Sequence, residues 1–445
     1  MIHVKGRIDV KRNVIILLVF LLAASWYMTL TGITDKASAY AKSSENAKKH
    51  EDKGMFIAAI EDYATVLGFS SDNYDALVAT ANDYYELGEY QQFEDTGKEI
   101  IEKYDADEGI FNKLMDYYVD KKKYSDALAY LHVLMEKFPE NEMIIDRYNS
   151  LKGSYSTKFN TYQWVGDFYH GYAACQAGTL KYASTNYNDE LKVNLNYDWA
   201  GPYEAEIKGT PVLLDDAGVC YVNKKGQRIL VPDFRAKYLG VLAGGYILAG
   251  DENGKYGYIK SDCSNATEME FDNATALVNN FGAVKKGEKW AIIGSDFKPT
   301  TEFIFDDVVM DDNHVATRGS VMWVKNGSGY QLVNRDGEAV SDEIYEAARP
   351  FASKEAAAAL KNGKWGFVGR DGVELTDFVY EDAKSFCAGF APVKDKDGYW
   401  KYIDINGNIC IDDNFTDAKA FDEKGVAFVQ KEESYWIMID LYDVD

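Results

Sequence analysis

The sequence predicts a multidomain chain in three parts: a transmembrane N-terminal helix, an all-α repeat region, and an all-β repeat region filling the larger half. Three observations carry this reading. Val14 to Ile33 is twenty residues without a charge, long enough to cross a bilayer as a helix. Between Tyr40 and Gly153, apolar residues return every 34 positions: Phe56, Tyr90 and Tyr124, then Val66, Ile100 and Leu134. From about residue 160 onward a period of about 35 residues sets Tyr182, Tyr256, Trp290, Tyr330, Trp365, Trp400 and Trp436 in one place, with Val219 in the same place between the first two.

The N-terminal part reads as a membrane signal. Lys5, Arg7, Lys11 and Arg12 precede the apolar run, and only Lys36 follows it closely. The positive-inside rule then leaves residues 1–13 as a cytoplasmic basic tail, residues 14–33 as a single-pass signal anchor, and the bulk outside the cell membrane. Ala37-Ser38-Ala39 has the small-x-small form of a cleavage site, so secretion after cleavage near Ala39 is the alternative. Either way the body is extracellular. Residues 1–40 hold five basic residues against two acidic ones, +3. The whole chain is −24, so the rest carries −27. A body so acidic is repelled by nucleic acid and by anionic membrane surfaces, and it suits a cationic partner.

Residues 40–153 alternate helical patterns with glycine breaks at Gly54 and Gly88. Gly153, Ser154, Ser156 and Thr157 end the pattern and mark the junction. Residues 160–445 then read as short strands. In the stretch Asn362-Gly363-Lys364-Trp365-Gly366-Phe367-Val368, an Asn-Gly turn leads into an alternating strand. Trp365 and Phe367 share one face, as do Trp400 with Tyr402 and Tyr256 with Tyr258. A second aromatic follows each anchor by fifteen: Tyr197, Phe234, Phe271, Phe305, Tyr345, Tyr380 and Phe415. Repetition of this face predicts packing between neighbouring units, because no single unit could bury it alone.

The ends of the array are split. Tyr162 to Phe168 repeats the spacing of Tyr380, Ala383 and Phe386 with no anchor before it, and Trp436 has no partner after it. The two halves can complete one unit if the array closes. The expectation is a closed, propeller-like toroid of about eight units, mostly of three strands, with an open β-solenoid as the alternative.

Two resemblances sharpen this. Lys364-Trp365-Gly366-Phe367-Val368 with Tyr380-Glu381-Asp382-Ala383 resembles the WG-repeat (KWG) family, from roughly Tyr162 to the C-terminus. Several units depart from its motif: Val219 replaces the aromatic, and Ala291 and Lys401 replace the glycine. The resemblance implies an all-β repeat domain, often on exported bacterial proteins, with no defined activity. Residues 40–153 resemble three tetratricopeptide repeats, best in the third with Phe111, Leu114, Tyr118, Ala127, Leu131, Leu134 and Pro139. That resemblance implies a concave peptide-binding groove, which matching positions place at Asn82, Tyr85, Glu86, Asn112, Asp116 and Asp120. The set lacks a Lys/Arg cluster to clamp a peptide carboxylate and suits a basic or polar peptide better.

No chemistry-bearing motif emerges. His3, His50, His132, His170 and His314 are isolated, and Cys175, Cys220, Cys263, Cys387 and Cys410 form no CxxC. The turns starting at Asp251, Asp395 and Asp404 offer carboxylates but lack a closing Glu, and read as hairpin turns rather than Ca²⁺ loops. The sequence therefore offers no catalytic, cofactor-binding or metal site. It reads as an envelope scaffold that engages a protein or cell-wall partner, with an exported hydrolase acting on glycan or peptide at the array's centre as the alternative.

Overall fold

The computed structural model describes residues 33–178, 180–432 and 435–443. Apart from Ile33, the predicted spanning segment and the basic tail before it lie outside the described residues. No described helix is long and apolar enough to cross a membrane. The described residues divide into two compact regions, one up to Tyr148 and one from Asn149 onward.

Seven helices are described: α1 (Ile33–Glu51), α2 (Phe56–Phe69), α3 (Tyr74–Leu87), α4 (Tyr90–Lys103), α5 (Glu108–Asp120), α6 (Tyr124–Lys137) and α7 (Glu142–Leu151). The period of 34 is now physical. Phe56, Tyr90 and Tyr124 are the first residues of α2, α4 and α6, and Val66, Ile100 and Leu134 are buried on those helices. Asn73, Asp107 and Asn141, also 34 apart, cap α3, α5 and α7, their side chains accepting from the N–H of Ala76, Ile110 and Ile144. Such caps satisfy donors that the first helical turn leaves unpaired. A buried carboxylate, Glu94, is held by Lys123 Nζ at 2.5 Å and by the hydroxyls of Tyr117 and Tyr118 at 2.9 and 3.2 Å. Burial alone would raise its pKa, and these three donors outweigh it and hold the group below the ordinary value.

The turns after α1, α3 and α5 share one geometry. A residue one to three past each helix is left-handed: Gly54 at φ 67°, Gly88 at φ 74° and Lys122 at φ 55°. The next N–H reaches back five residues, from Met55 to His50, Glu89 to Tyr84 and Lys123 to Tyr118, at 2.8–2.9 Å. This is the Schellman closure, which favours glycine because a Cβ is strained there. Lys122 therefore carries backbone strain that its two counterparts avoid. Lys122→Gly should stabilise the helical region by about 0.5–1 kcal/mol. Urea denaturation followed by helical circular dichroism checks it, and a lowered midpoint would refute it.

The second region holds eight antiparallel sheets among the described residues, six of three strands and two of four. Repeat one comprises Trp164–Val165, Tyr172–Ala177 and Lys181–Asn186; repeat two, Thr210–Leu214, Gly218–Val222 and Arg228–Leu230; repeat three, Ala236–Ala243, Tyr246–Asp251 and Tyr256–Lys260. Repeat four comprises Asn273–Ala274, Phe281–Lys286 and Lys289–Gly294; repeat five, Asp307–Val308, Val321–Asn326 and Gly329–Asn334; repeat six, Ala347–Ala348, Ala357–Lys361 and Lys364–Val368. Repeat seven adds a fourth strand, Ile409–Phe415, to Asp382–Ala383, Ala391–Lys394 and Trp400–Ile403. Repeat eight comprises Asp417–Ala418, Val426–Glu432 and Tyr435–Leu441. Its fourth strand comes from the other end of the region: Tyr155–Tyr162 pairs with Tyr435–Leu441, and Tyr162 stands opposite Trp436.

The motif residues take distinct jobs. Six of the anchors bridge the aromatic fifteen residues on: Tyr182 with Tyr197, Tyr256 with Phe271, Trp290 with Phe305, Tyr330 with Tyr345, Trp365 with Tyr380, and Trp400 with Phe415. The lysine before the anchor pairs with the acid that follows that aromatic: Lys255–Asp272 at 2.6 Å, Lys289–Asp306 and Lys364–Glu381 at 2.5 Å. The glycine after the anchor makes room, since a Cβ on Gly366 would stand 2.8 Å from the ring of Phe378. The Asn362-Gly363 turn has positive φ at both residues, 55° and 73°, as the tight hairpin requires. The residue two past the anchor is fully inside, with Tyr258, Phe367 and Tyr402 at most 1% exposed.

Packing is sequential. Phe367 and Trp365 of repeat six join Phe386, Ala391 and Val393 of repeat seven. Trp323 and Leu332 of repeat five join Ala357 and Val368 of repeat six. Val426, Phe428, Trp436 and Met438 of repeat eight pack with Tyr162 and with Val165, Ala173 and Cys175 of repeat one.

Candidate functional site

Two places collect polar side chains. The first is the helical surface where the sequence set its peptide groove. Among the six predicted residues, Glu86, Asn112, Asp116 and Asp120 are exposed, and Asn82 and Tyr85 are half-buried. The Tyr85 ring is fixed edge-on against Tyr90 and Phe93, with centroids at 5.9 and 5.1 Å. Two cations escaped the sequence reading. Lys113 Nζ donates to Asn82 Oδ1 at 2.7 Å and lies 4.4 Å from the centroid of the Tyr85 ring. Arg147 Nη2 donates to Asp116 Oδ1 at 2.6 Å. In both pairs the cation lies 31 residues after its acceptor, one helical hairpin further along. That spacing was available as a signal. The surface is thus less acidic than its six predicted members suggested.

Beneath it lies Asp83, which is 2% exposed and whose Oδ2 has no hydrogen-bond partner. Burial, then the nearby carboxylates of Glu51 and Glu86, push it up to about 7, against the opposing pull of Lys113. The folded state holds a proton that the unfolded chain releases near pH 4, so stability falls as pH rises from about 4 to about 7. Asp83→Asn should remove this dependence and stabilise the helical region by about 1–2 kcal/mol at pH 8. Thermal midpoints at pH 5 and pH 8 test it, and an unchanged difference between the two would count against the assignment.

The second place is where the repeats meet inside the β region. Tyr169, Val241, Ala243, Ala276 and Val315, drawn from four repeats, form one buried cluster. Beside it Lys419 of repeat eight reaches Asp167 of repeat one at 2.8 Å and Asp312 of repeat five at 3.2 Å. Lys384 of repeat seven reaches Asp417 of repeat eight at 2.8 Å. Arg318 pairs with Asp311 at 3.0 Å and covers the ring of Tyr169 at 5.2 Å. Asn313 Nδ2 donates to the carbonyl of Asp167 at 3.1 Å. Glu204, pushed up to about 8 by burial, accepts from the N–H of Leu242 at 2.9 Å. Asp311 is raised to about 6 by burial, with Arg318 opposing. These groups are engaged with one another across the repeats, and the arrangement ties sheets together.

The aspartate turns behave likewise. Oδ1 of Asp251 accepts from Asn253 and Lys255, that of Asp395 from Asp397 and Tyr399, and that of Asp404 from Asn406 and Asn408, all through backbone N–H groups. Each carboxylate thus caps its own turn. Among the described residues no group of three His, Cys, Asp or Glu side chains is placed to hold a metal ion.

The predicted anchors lie inside the repeats. Trp290, Trp365, Trp400 and Trp436 are buried, as is Val219, whereas Tyr182, Tyr256 and Tyr330 are half-buried. The tyrosines keep a polar tip that can stay wet, and the hydroxyl of Tyr330 donates to Asp307 at 3.0 Å.

Four stretches of this region match the family model described as the WG containing repeat: residues 256–290, 332–365, 365–400 and 402–435. Residues 256, 290, 365 and 400 are anchors, so these limits follow the structural period. No curated protein matches the chain. Among solved structures the chain is similar to one described as the WD40 beta propeller domain of Doa1, at 12% identity and a TM-score of 0.32, over 64% of this chain and 97% of that one. It is similar to one described as the eukaryotic initiation factor at 11% identity and a TM-score of 0.38, over 58% and 78%.

Proposed function

We propose that this chain is a membrane-anchored extracytoplasmic binding protein, in which a helical groove and a WG-repeat array each present a surface to a protein or cell-wall partner. The observation that carries the reading is the solvent-exposed set Glu86, Asn112, Asp116 and Asp120 on α3 and α5, with the Tyr85 ring held by Tyr90 and Phe93. Its acidic and amide groups suit a basic or polar peptide. The attraction at such exposed positions weakens with salt. We infer further that the WG array is a closed ring of eight short repeats. The pairing of Tyr155–Tyr162 with Tyr435–Leu441 supports it, as does the shared core of repeats eight and one. The basic residues before Val14 support an anchor with the body outside, and protease added to intact protoplasts should then degrade the body.

The groove is tested by titrating the full chain with a lysine-rich and a glutamate-rich peptide at two salt concentrations. The lysine-rich peptide should bind, more weakly at high salt, and Tyr85→Ala with Asn112→Ala should reduce its affinity about tenfold. Preference for the glutamate-rich peptide would overturn the reading.

A further inference from the structure

The residue fourteen after each anchor is exposed in all seven repeats that have a partner aromatic: Asn196, Asp233, Glu270, Ile304, Ile344, Val379 and Asn414. Four of the seven are polar. The three apolar ones are consecutive, in repeats four, five and six, and are 46%, 48% and 58% exposed. The backbone does not ask for this. The N–H of Glu270 donates to the carbonyl of its anchor at 3.1 Å, and so do those of Ile304 and Val379. A polar residue therefore occupies the same site in the same geometry without harm to the fold. Single exposed apolar side chains are ordinary on protein surfaces, but three in register on adjoining repeats make a stripe. Val373 and Leu375 of repeat six are also exposed, at 52% and 44%.

The flanking charge selects the occupant. Glu302, Asp342 and Asp377 stand two residues before the stripe members, each exposed. None of the three has an ion-pair partner among the described residues. We propose that the Ile304–Ile344–Val379 stripe is a docking surface for a protein segment that presents apolar side chains interleaved with lysine or arginine. A second copy of this chain would set carboxylate against carboxylate, and an anionic bilayer would be repelled. The inference rests on the proposed reading of the chain as a binding protein and assigns it a second surface, separate from the helical groove.

The test uses the full chain and a synthetic peptide of alternating leucine and lysine, with a leucine–glutamate peptide as control. A triple variant, Ile304→Asn, Ile344→Asn and Val379→Asn, installs the residue type that repeats one and seven already carry. It should keep the thermal midpoint and bind the leucine–lysine peptide at least about tenfold more weakly. Asn414→Ile extends the stripe into repeat seven and should tighten binding. A fall in the midpoint would make the three residues structural and overturn the proposal. So would equal binding of the leucine–glutamate peptide, adsorption to anionic vesicles lost in the triple variant, or a wild-type dimer that the triple variant makes monomeric. If the Tyr85→Ala and Asn112→Ala variant loses the peptide while the triple variant keeps it, the groove stands and the stripe falls.

Discussion

Deleting residues 435–445 should unfold the whole β region cooperatively. The strand Tyr435–Leu441 carries Trp436, Met438, Ile439 and Leu441, all buried, and it lies in its sheet between Val426–Glu432 and the incoming Tyr155–Tyr162. Removing it strips repeat eight of its anchor and leaves Tyr155–Tyr162 without a partner strand. It also exposes the cluster shared by repeats eight and one. Buried side chains of this size are each worth roughly 2–5 kcal/mol, so the loss should reach about 5 kcal/mol or more, comparable with the stability of a domain. An open array of stacked repeats would respond locally, because each repeat contacts only its neighbours. Two separate melting transitions, with repeats one to seven unshifted, would rule out the shared sheet.

Trp365→Ala should cost about 3–5 kcal/mol. Trp365 is 8% exposed and packs with Phe367, Ala383, Phe386 and Val393 in the seam between repeats six and seven. The Arg349 guanidinium covers its ring at 4.9 Å, a contact that would vanish with it. Trp365→Phe should cost less, because most of the buried ring area remains. Tyr330→Ala offers a comparison within the same array, since Tyr330 is half-buried and its hydroxyl donates to Asp307. It should cost about half as much. Denaturant midpoints of the three variants give the ranking. Equal losses for Trp365→Ala and Tyr330→Ala would mean that the anchor's burial does not set its contribution.

The periodic features of both regions were legible in the sequence because each rests on a residue type with one local job. Phe56, Tyr90 and Tyr124 mark helix starts, and Trp365 with Tyr380 marks a bridged pair of strands. The split repeat at Tyr162 and Trp436 was legible too, since the two halves carry complementary parts of one motif. What escaped was non-periodic. Lys113 and Arg147 sit among the predicted groove residues because helices pack side by side, and a face read one helix at a time omits what the next helix contributes. The contacts of Lys419 with Asp167 and Asp312 join residues 252 and 107 apart in the chain. No local pattern reports such pairings. Glu204 and Asp83 look like ordinary acidic surface residues in the sequence, and only the fold buries them.

The shared sheet is tested most directly by cross-linking its two strands. Ser156 stands opposite Asp440, and Cα atoms of facing antiparallel residues lie about 4.5–5.5 Å apart, within reach of a disulfide. Four of the five native cysteines are buried, which limits competing pairs. With Ser156→Cys and Asp440→Cys in the full chain, mild oxidation should form the bridge in the folded protein and raise the thermal midpoint. Reducing agent should restore the original value. Failure to cross-link in a chain that still melts as the wild type does would contradict the account.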